Sequence, residues 1–324
     1  MKNILLLNAG TRNILVRDFK ETLDGKALVI ATDSFELAPA LYEADKYYIT
    51  PWITESCYWD EIDKICDRES IGLIVSLIDP ELEMLANEKG RFEKKGILVN
   101  TSDYKTIHDT YDKFSTLEFL RKNGFPYIKT YRFLEDVIHS LENEAISFPL
   151  FMKPSCGSGS QGICKINNKD ELINLYKEGM IIQEFMGGQE IGVDVFVDLL
   201  SGEVCSIFAK KKIKMRAGET DKSVSYKNQK LFDVVKRFAK QYGLKGANDI
   251  DVFEKNGEFY ISEVNPRFGG GYIHAYACGV DFPNMLINNM NGICNLIQIG
   301  AYEENIYMMK YFDIKIINNS QGEH

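Results

Sequence analysis

Nothing in this chain is spaced like a disulfide framework or a zinc site. Its seven cysteines (57, 66, 156, 164, 205, 278 and 294) lie far apart, are odd in number and contain no Cys-x-x-Cys. That usage fits reduced thiols in a cytoplasmic setting better than secretion. Only four histidines occur (108, 139, 274 and 324), and none pairs with a cysteine at ligand spacing. No apolar stretch approaches the ~20 residues needed to cross a bilayer. The start, MKNILLLNAG, has a four-residue apolar run before turn residues, too short for a signal-peptide core. Positive charge is not in surplus either: the net charge is -9, which argues against a nucleic-acid partner held by general electrostatics. Two phosphate-binding signatures are also missing. There is no Gly-x-Gly-x-x-Gly, and no glycine loop ends in Gly-Lys-Ser/Thr.

What is present begins with alternating strands and helices. Strands are expected at 3–8, 26–33, 72–79 and 97–100, and helices at 13–24, 58–70 and 80–96. Short apolar strands between amphipathic helices indicate a parallel sheet covered on both faces, and such sheets bind ligands at the carboxyl ends of their strands. Here those ends carry Asn8 to Arg12, Asp33 and Asp79 to Glu81. Ser102 and Thr110 are plausible caps for a following helical region, with the second helix at about 111–123 closed by Gly124 and Pro126. On its own, Lys113 one turn into that helix reads as a solvated charge.

From about residue 127 the pattern turns to strands. The stretches 127–133, 148–154, 163–167 and 180–186 read as strands, with helices at 134–144 and up to about 178. FMKPSCGSGSQGI (151–163) therefore joins strand to strand, whereas a P-loop joins strand to helix. Taken alone, it is either an anion-cradling hairpin tip or a turn with no ligand. ANDIDVFEKNGEFYISEVNPRFGGG (247–271) reads as a hairpin turning at Asn256-Gly257. Symmetric pairing about that turn puts Asp251 nearly opposite Glu263, with Asn265 on the same parity. Facing carboxylates repel unless a positive charge lies between them, and hard oxygen donors of this kind suit Mg²⁺. The alternative is a solvent-facing acidic hairpin.

DKFST (112–116), the 151–163 loop, IIQEFMGGQE (181–190), RAGET (216–220) and DIDVF followed by SEVNPRFGGG occur in order. Together they resemble the ATP-grasp superfamily, in particular its carbamoyl-phosphate-synthase-like branch, over about residues 1–295. The resemblance implies a Rossmann-like parallel-sheet domain over 1–102, then an ATP-grasp fold over 103–324 with a mobile lid at about 127–187. It also implies roles. Lys113 and Lys153 would contact the ATP phosphates, under a lid loop comprising Ser158, Gly159, Ser160, Gln161 and Gly162. Gln183, Glu184, Phe185 and Met186 would border adenine, and Glu190 the ribose. Asp251, Glu263 and Asn265 would hold Mg²⁺. Arg267, Arg216 and Lys153 would stabilise the transferred phosphoryl group or a developing oxyanion. Arg216 sits in the most basic run of the chain, KKKIKMRAGETDKS, which also reads as a partly solvated loop. Many relatives carry Gln or Glu at the position of Asp251; the shorter Asp would reach a metal through water or share the task with Asp249.

The implied activity is ATP-dependent ligation of a carboxylate to an amine or thiol through an acyl phosphate, releasing ADP and phosphate. Alternatives on this scaffold are a phosphotransferase, a carboxy-phosphate- or carbamate-forming enzyme, and a nucleotide-binding subunit without turnover. A complete carbamoyl phosphate synthase needs two such halves and an ammonia supply, so a single unit is expected here. The small-molecule substrate is expected between the first domain's strand ends and the glycines at 269–271. Many such ligases form homodimers through the first domain, but no stripe in this sequence marks that surface.

Overall fold

The computed structural model describes residues 1–157 and 162–317. Five parallel strands make the first sheet: β1 (Asn3–Leu7), β2 (Val29–Asp33), β3 (Lys46–Ile49), β4 (Ile71–Ser76) and β5 (Leu98–Asn100). Their order is β3-β2-β1-β4-β5, so the winding reverses between β1 and β4. The crevice of such a sheet opens beyond the carboxyl ends at that switch point. Helices α1 (Asn13–Leu23), α2 (Tyr58–Arg68) and α3 (Asp79–Lys94) cover the sheet. The strand β3 is absent from the sequence expectation. It is a half-exposed edge of four residues, KYYI, with no apolar run to announce it. Asp79, expected at a strand end, opens α3 instead, followed by Pro80 at a position where its missing N–H costs nothing.

The helical region departs from expectation in register. Two helices, α4 (Tyr104–Tyr111) and α5 (Lys113–Lys122), are split at Asp112. Asp112, not Thr110, caps α5, its Oδ1 accepting from the Phe114 amide at 3.2 Å. Thr110 instead donates to the Ile107 carbonyl within α4, and Ser102 accepts from the Lys245 amide. Lys113 is thus the first residue of α5 rather than one turn in.

A small antiparallel sheet follows, built from β6 (Thr130–Tyr131), β7 (Leu150–Pro154), β8 (Cys164–Ile166) and β9 (Met180–Glu184) in the order β6-β9-β7-β8. Helices α6 (Leu134–Glu142) and α7 (Lys169–Leu175) close its own apolar cluster, which includes Val137, Leu150, Ile166, Leu172 and Ile182. The larger sheet comprises β10 (Gln189–Val197), β11 (Val204–Arg216), β12 (Glu219–Tyr226), β13 (Gly246–Lys255), β14 (Glu258–Asn265) and β15 (Tyr307–Met309). Its order is β14-β13-β10-β11-β12-β15, antiparallel throughout. α8 (Gln229–Tyr242) lies between β12 and β13 in the chain; Asn228 caps it and Gly243 ends it at φ 81°. Its buried stripe (Leu231, Val235, Phe238, Tyr242) recurs at helical spacing and shares a core with Ile191, Val193, Val195, Ile250 and Val252 of the sheet. Short helices α9 (Tyr272–Ala277) and α10 (Phe282–Met290) pack against α1 and join the two large units.

Candidate active site

Residues two apart on a strand share a face, so the apolar face of the large sheet leaves the alternate residues on the other. Those are Glu190, Gly192 and Asp194 on β10, Lys210 and Lys212 on β11, Asp249 and Asp251 on β13, and Glu263 and Asn265 on β14. The register pairs them directly: Gly192 with Asp251 and with Lys210, Asp194 with Asp249, Asp251 with Glu263, and Asp249 with Asn265. Pairing about the 256–257 turn would by itself set Asp251 against Ser262. A bulge at Ser262 shifts the register by one, bringing Glu263 and Asn265 into line with Asp251 and Asp249. Ser262 compensates by donating its hydroxyl to the Asp251 carbonyl at 3.1 Å.

This face is charged and mostly dry. The Lys212 side chain is 6% exposed, with its ammonium 2.8 Å from Glu190 and 2.6 Å from Asp251. Burial opposes its charge, but Asp251 and Glu190 more than offset it and hold the lysine above its usual range. Lys210 is 1% exposed and donates to Asp194. Burial raises the Asp194 carboxyl to about 6 despite that partner. Asp249 is likewise raised, first by burial and then by Asp251. Gly192 lies where the two lysine stems cross β10 and leaves them room. A Cβ there would lie 3.2 and 3.3 Å from their ε-carbons.

Two further lysines come from other elements. Lys153, near the end of β7, is buried with its Nζ 3.5 Å from the Ser262 carbonyl. Burial lowers its pKa while Glu263 pulls the other way. Lys113 is 9% exposed, so the sequence reading of a solvated charge fails. Its ammonium donates to the Gly157 carbonyl and its amide to the Ser155 carbonyl at 2.9 Å. Asp112 secures this junction, accepting from the Ser155 and Ser115 hydroxyls and from Arg132 of the small sheet. Burial raises Glu263, and Lys113 and Lys153 oppose the shift, so both lysines act on that carboxylate.

At the switch-point crevice, Arg267 follows β14 and holds Asp79 in a two-pronged pair at 2.9 and 2.8 Å. Glu81, expected beside it facing substrate, is fully buried and accepts from Tyr58 and Ser76, so it belongs to the first domain's interior. Burial pushes its carboxyl up. The glycines at 269–271 leave room for charged side chains of the protein rather than open space. A Cβ on Gly269 would come 2.4 Å from the Asp249 carboxyl carbon, and one on Gly271 would be 2.7 Å from the Lys210 ε-carbon.

The expected site residues therefore divide. Lys113, Lys153, Glu190, Asp251, Glu263, Asn265 and Arg267 converge around one sheet face. Gln183 is spent inside the small sheet, donating to Thr130 at 2.8 Å. Glu184 and Met186 flank Phe185, whose ring is exposed and lies 4.7 Å from the Lys165 ammonium. Arg216 stands apart: it pairs with Asp221 at 3.4 Å and lies over the Phe312 ring at 4.7 Å. Gly162 turns at φ 68° against Pro154. Ser158, Gly159, Ser160 and Gln161 lie outside the described residues. Sequence reasoning missed Lys210 and Lys212. The run AKKKIK was the available signal, because alternate lysines 210 and 212 point inward on a strand.

Residues 110–271 match the family model described as "ATP-grasp domain", and residues 4–100 match "PylC-like, N-terminal domain". The carbamoyl phosphate synthase large chain of Clostridium botulinum is 27% identical over 266 residues, covering 76% of this chain and 24% of that protein. The chain thus spans about a quarter of that relative's length. The D-alanine–D-alanine ligase of Francisella philomiragia is 28% identical over 228 residues, covering 63% of this chain and 76% of its own. In fold, the biotin carboxylase domain of Hydrogenobacter thermophilus 2-oxoglutarate carboxylase, solved with MgADP, ADP and bicarbonate, superposes with a TM-score of 0.76 at 18% identity. That match covers 95% of this chain and 73% of the other. Among the described residues, no helix is long and apolar enough to cross a membrane. A matching family model over half of the chain, on a sheet face that gathers the ordered motifs, carries the conclusion that this chain belongs to the ATP-grasp family.

Proposed function

We propose that this protein is an ATP-dependent carboxylate–amine (or thiol) ligase that works through an acyl phosphate and releases ADP and phosphate. One observation carries the reading. Lys153 from the small sheet reaches the Ser262 carbonyl beside Glu263, and Lys113 from α5 lines one cavity with Glu263 and Asn265, where Glu263 faces Asp251 across the β13–β14 bulge. Two cations from separate elements above paired oxygen donors suit a polyphosphate bridged to a divalent metal. ATP-grasp membership and the ligase relative support it.

Mg²⁺ fits the donor set present. Among the described residues, the Glu263 carboxylate and the Asn265 amide have no hydrogen-bonding partner, and both pair across to the acids of β13. No ready-made group of three acidic or histidine ligands occurs among those residues. Lys212 holds Asp251. Glu263 and Asn265 would hold the ion, with Asp251 available when Lys212 turns to phosphate. The ion would supply charge neutralisation as the γ-phosphoryl group moves. Lys113 and Lys153 would orient the phosphates, and the end of β9 with the residues that follow it to Met186 would border adenine. Arg267, fixed by Asp79, would present its remaining N–H groups to the transferred group. The small sheet, about residues 127–187, would be the lid. All seven cysteines are free thiols, which supports a cytoplasmic setting. Pairing of two copies through the parallel-sheet domain, as many such ligases do, completes the proposal.

Lys153→Ala and Glu263→Gln should each lower ADP release by about 10²-fold or more, with circular dichroism unchanged. Trapping with hydroxylamine should yield a hydroxamate of the carboxylate substrate. Formation of AMP and pyrophosphate would overturn the reaction assignment, and unchanged turnover in both variants would overturn the site.

A further inference from the structure

A second cavity, of about 650 Å³, opens where three distant segments meet beyond the first sheet's switch point. They are the turn at Thr11–Arg12 after β1, the tip of the β11–β12 hairpin, and the extended chain from Met308 to Lys315. Glu219 ties them together. It lies 2.7 Å from Arg12 on one side and 2.7 Å from Lys310 on the other. Arg216 and Asp221 form a second pair on the same wall. Five basic and four acidic side chains line the cavity, so neither sign dominates. A ligand with one charge would leave half of this wall without a match. A ligand carrying both can exchange partners with an existing ion pair, replacing each contact it breaks. Apolar side chains also line the cavity: Ile14 is 45% exposed, and Tyr311 and Phe312 are 87% and 83% exposed, with Phe312 under the Arg216 guanidinium.

The cavity adjoins the ATP-grasp face through two consecutive glycines. Gly269 abuts Asp249 on the sheet face, while a Cβ on Gly270 would lie 2.5 Å from the Glu219 carboxyl carbon and 2.7 Å from an Arg12 guanidinium nitrogen. The Arg12–Glu219 pair therefore marks the end of the cavity nearest the sheet face. A group held there is placed for phosphorylation, and a group held at Asp221 is deeper in the hairpin wall.

We propose that this cavity binds an α-amino acid with an apolar side chain as the carboxylate substrate. Its carboxylate faces Arg12, its ammonium faces Glu219 and Asp221, and its side chain lies against Ile14, Tyr311 and Phe312. This rests on the ligase reading for its reaction but not for its binding. In the reaction, a carboxylate oxygen attacks the γ-phosphorus and ADP leaves. The amine of the second substrate then attacks the acyl carbon, displacing phosphate and giving up its proton to solvent.

The test is calorimetric titration of the full chain, saturated with Mg·ADP, using both enantiomers of leucine, methionine and phenylalanine. At least one should bind with a Kd in the millimolar range or below. For a leucine signal, 4-methylpentanoate, lacking the ammonium, and 3-methylbutylamine, lacking the carboxylate, should each bind at least about 10-fold more weakly; for methionine or phenylalanine, the matching des-amino acid and amine serve. Glu219→Gln should weaken the amino acid by a similar factor while leaving the affinity for Mg·ADP unchanged. Binding of none of the amino acids, or equal binding of the des-amino acid, overturns the inference. If Mg·ADP does not bind, the ligase reading fails, and the same titration of the nucleotide-free protein still decides what the cavity takes.

Discussion

Lys212 bridges Glu190 and Asp251 from a strand the sequence presents as a basic run. A cation between two carboxylates does part of what a metal would do there, and removing it leaves acids facing one another in a dry setting. Lys212→Met should therefore lower stability by roughly 1–3 kcal/mol, less than for a fully buried pair because Glu190 is partly exposed. Millimolar Mg²⁺ should restore more of the melting temperature in this variant than it adds to the wild type. Thermal melts with and without Mg²⁺ check this; equal responses would show that Asp251 offers the ion nothing. Of the site residues, Lys153, Asp251, Glu263, Asn265 and Arg267 were legible because they sit in short ordered motifs. Lys210 and Lys212 were not, because polar residues carry no apolar alternation to reveal which of them turn inward.

At the scale of elements, α1 carries a buried acid into the junction with α10. Asp18 is 5% exposed, and its Oδ2 has no hydrogen-bond partner among the described residues. Burial, then Glu21 and Asp281, raise its carboxyl to about 7. The unfolded chain releases this proton near pH ~4, the folded protein only near 7. The folded state thus holds an extra proton across that window, and the group erodes stability as pH rises through it. Asp18→Asn should stabilise the protein by roughly 2–4 kcal/mol at pH 8 and have little effect at pH 4.5, read by urea unfolding. An equal effect at both pH values would show that charge is not the cause. The β13–β14 hairpin was legible from its Asn-Gly turn, and its carboxylate pairing nearly so. The bulge at Ser262 was not, since serine has no preference that marks one. The division of the helical region into two was legible, but its cap was placed at Thr110 rather than Asp112, because the tertiary bonds from Ser155 and Arg132 that hold that aspartate are not written locally.

In the molecule as a whole, the small sheet has an apolar cluster of its own, separate from the one shared by α8 and the large sheet. Ile181 of β9 and Met186 join the larger core, and the polar ties to the sheet face are chiefly Lys113 to Gly157, Asp112 to Ser155 and Arg132, and Lys153 to Ser262. If this sheet is the proposed lid, a polyphosphate shared by Lys113 and Lys153 would hold it closed. Mg·ADP should accordingly slow amide hydrogen exchange in β7 and β9 and in the 155–157 segment, while β1 and β4 stay unchanged. Exchange that slows uniformly, or not at all, would separate nucleotide binding from any closure of this sheet.

The sequence by itself determined the parallel first domain, the strand-to-strand setting of the glycine loop, the acidic hairpin and the ordered motifs of the family. Each is written in local periodicity or in adjacent residues. Only the tertiary structure decided which charges meet. Arg12 comes to Glu219, Asp79 to Arg267 and Lys212 to Asp251 across large sequence separations. It also turned Glu81 inward and left Arg216 at the second cavity rather than beside Glu263. Pairing of this kind depends on sheet register, on one bulge and on glycines small enough to let charged groups approach. Those quantities are settled by packing, not by the residues on either side.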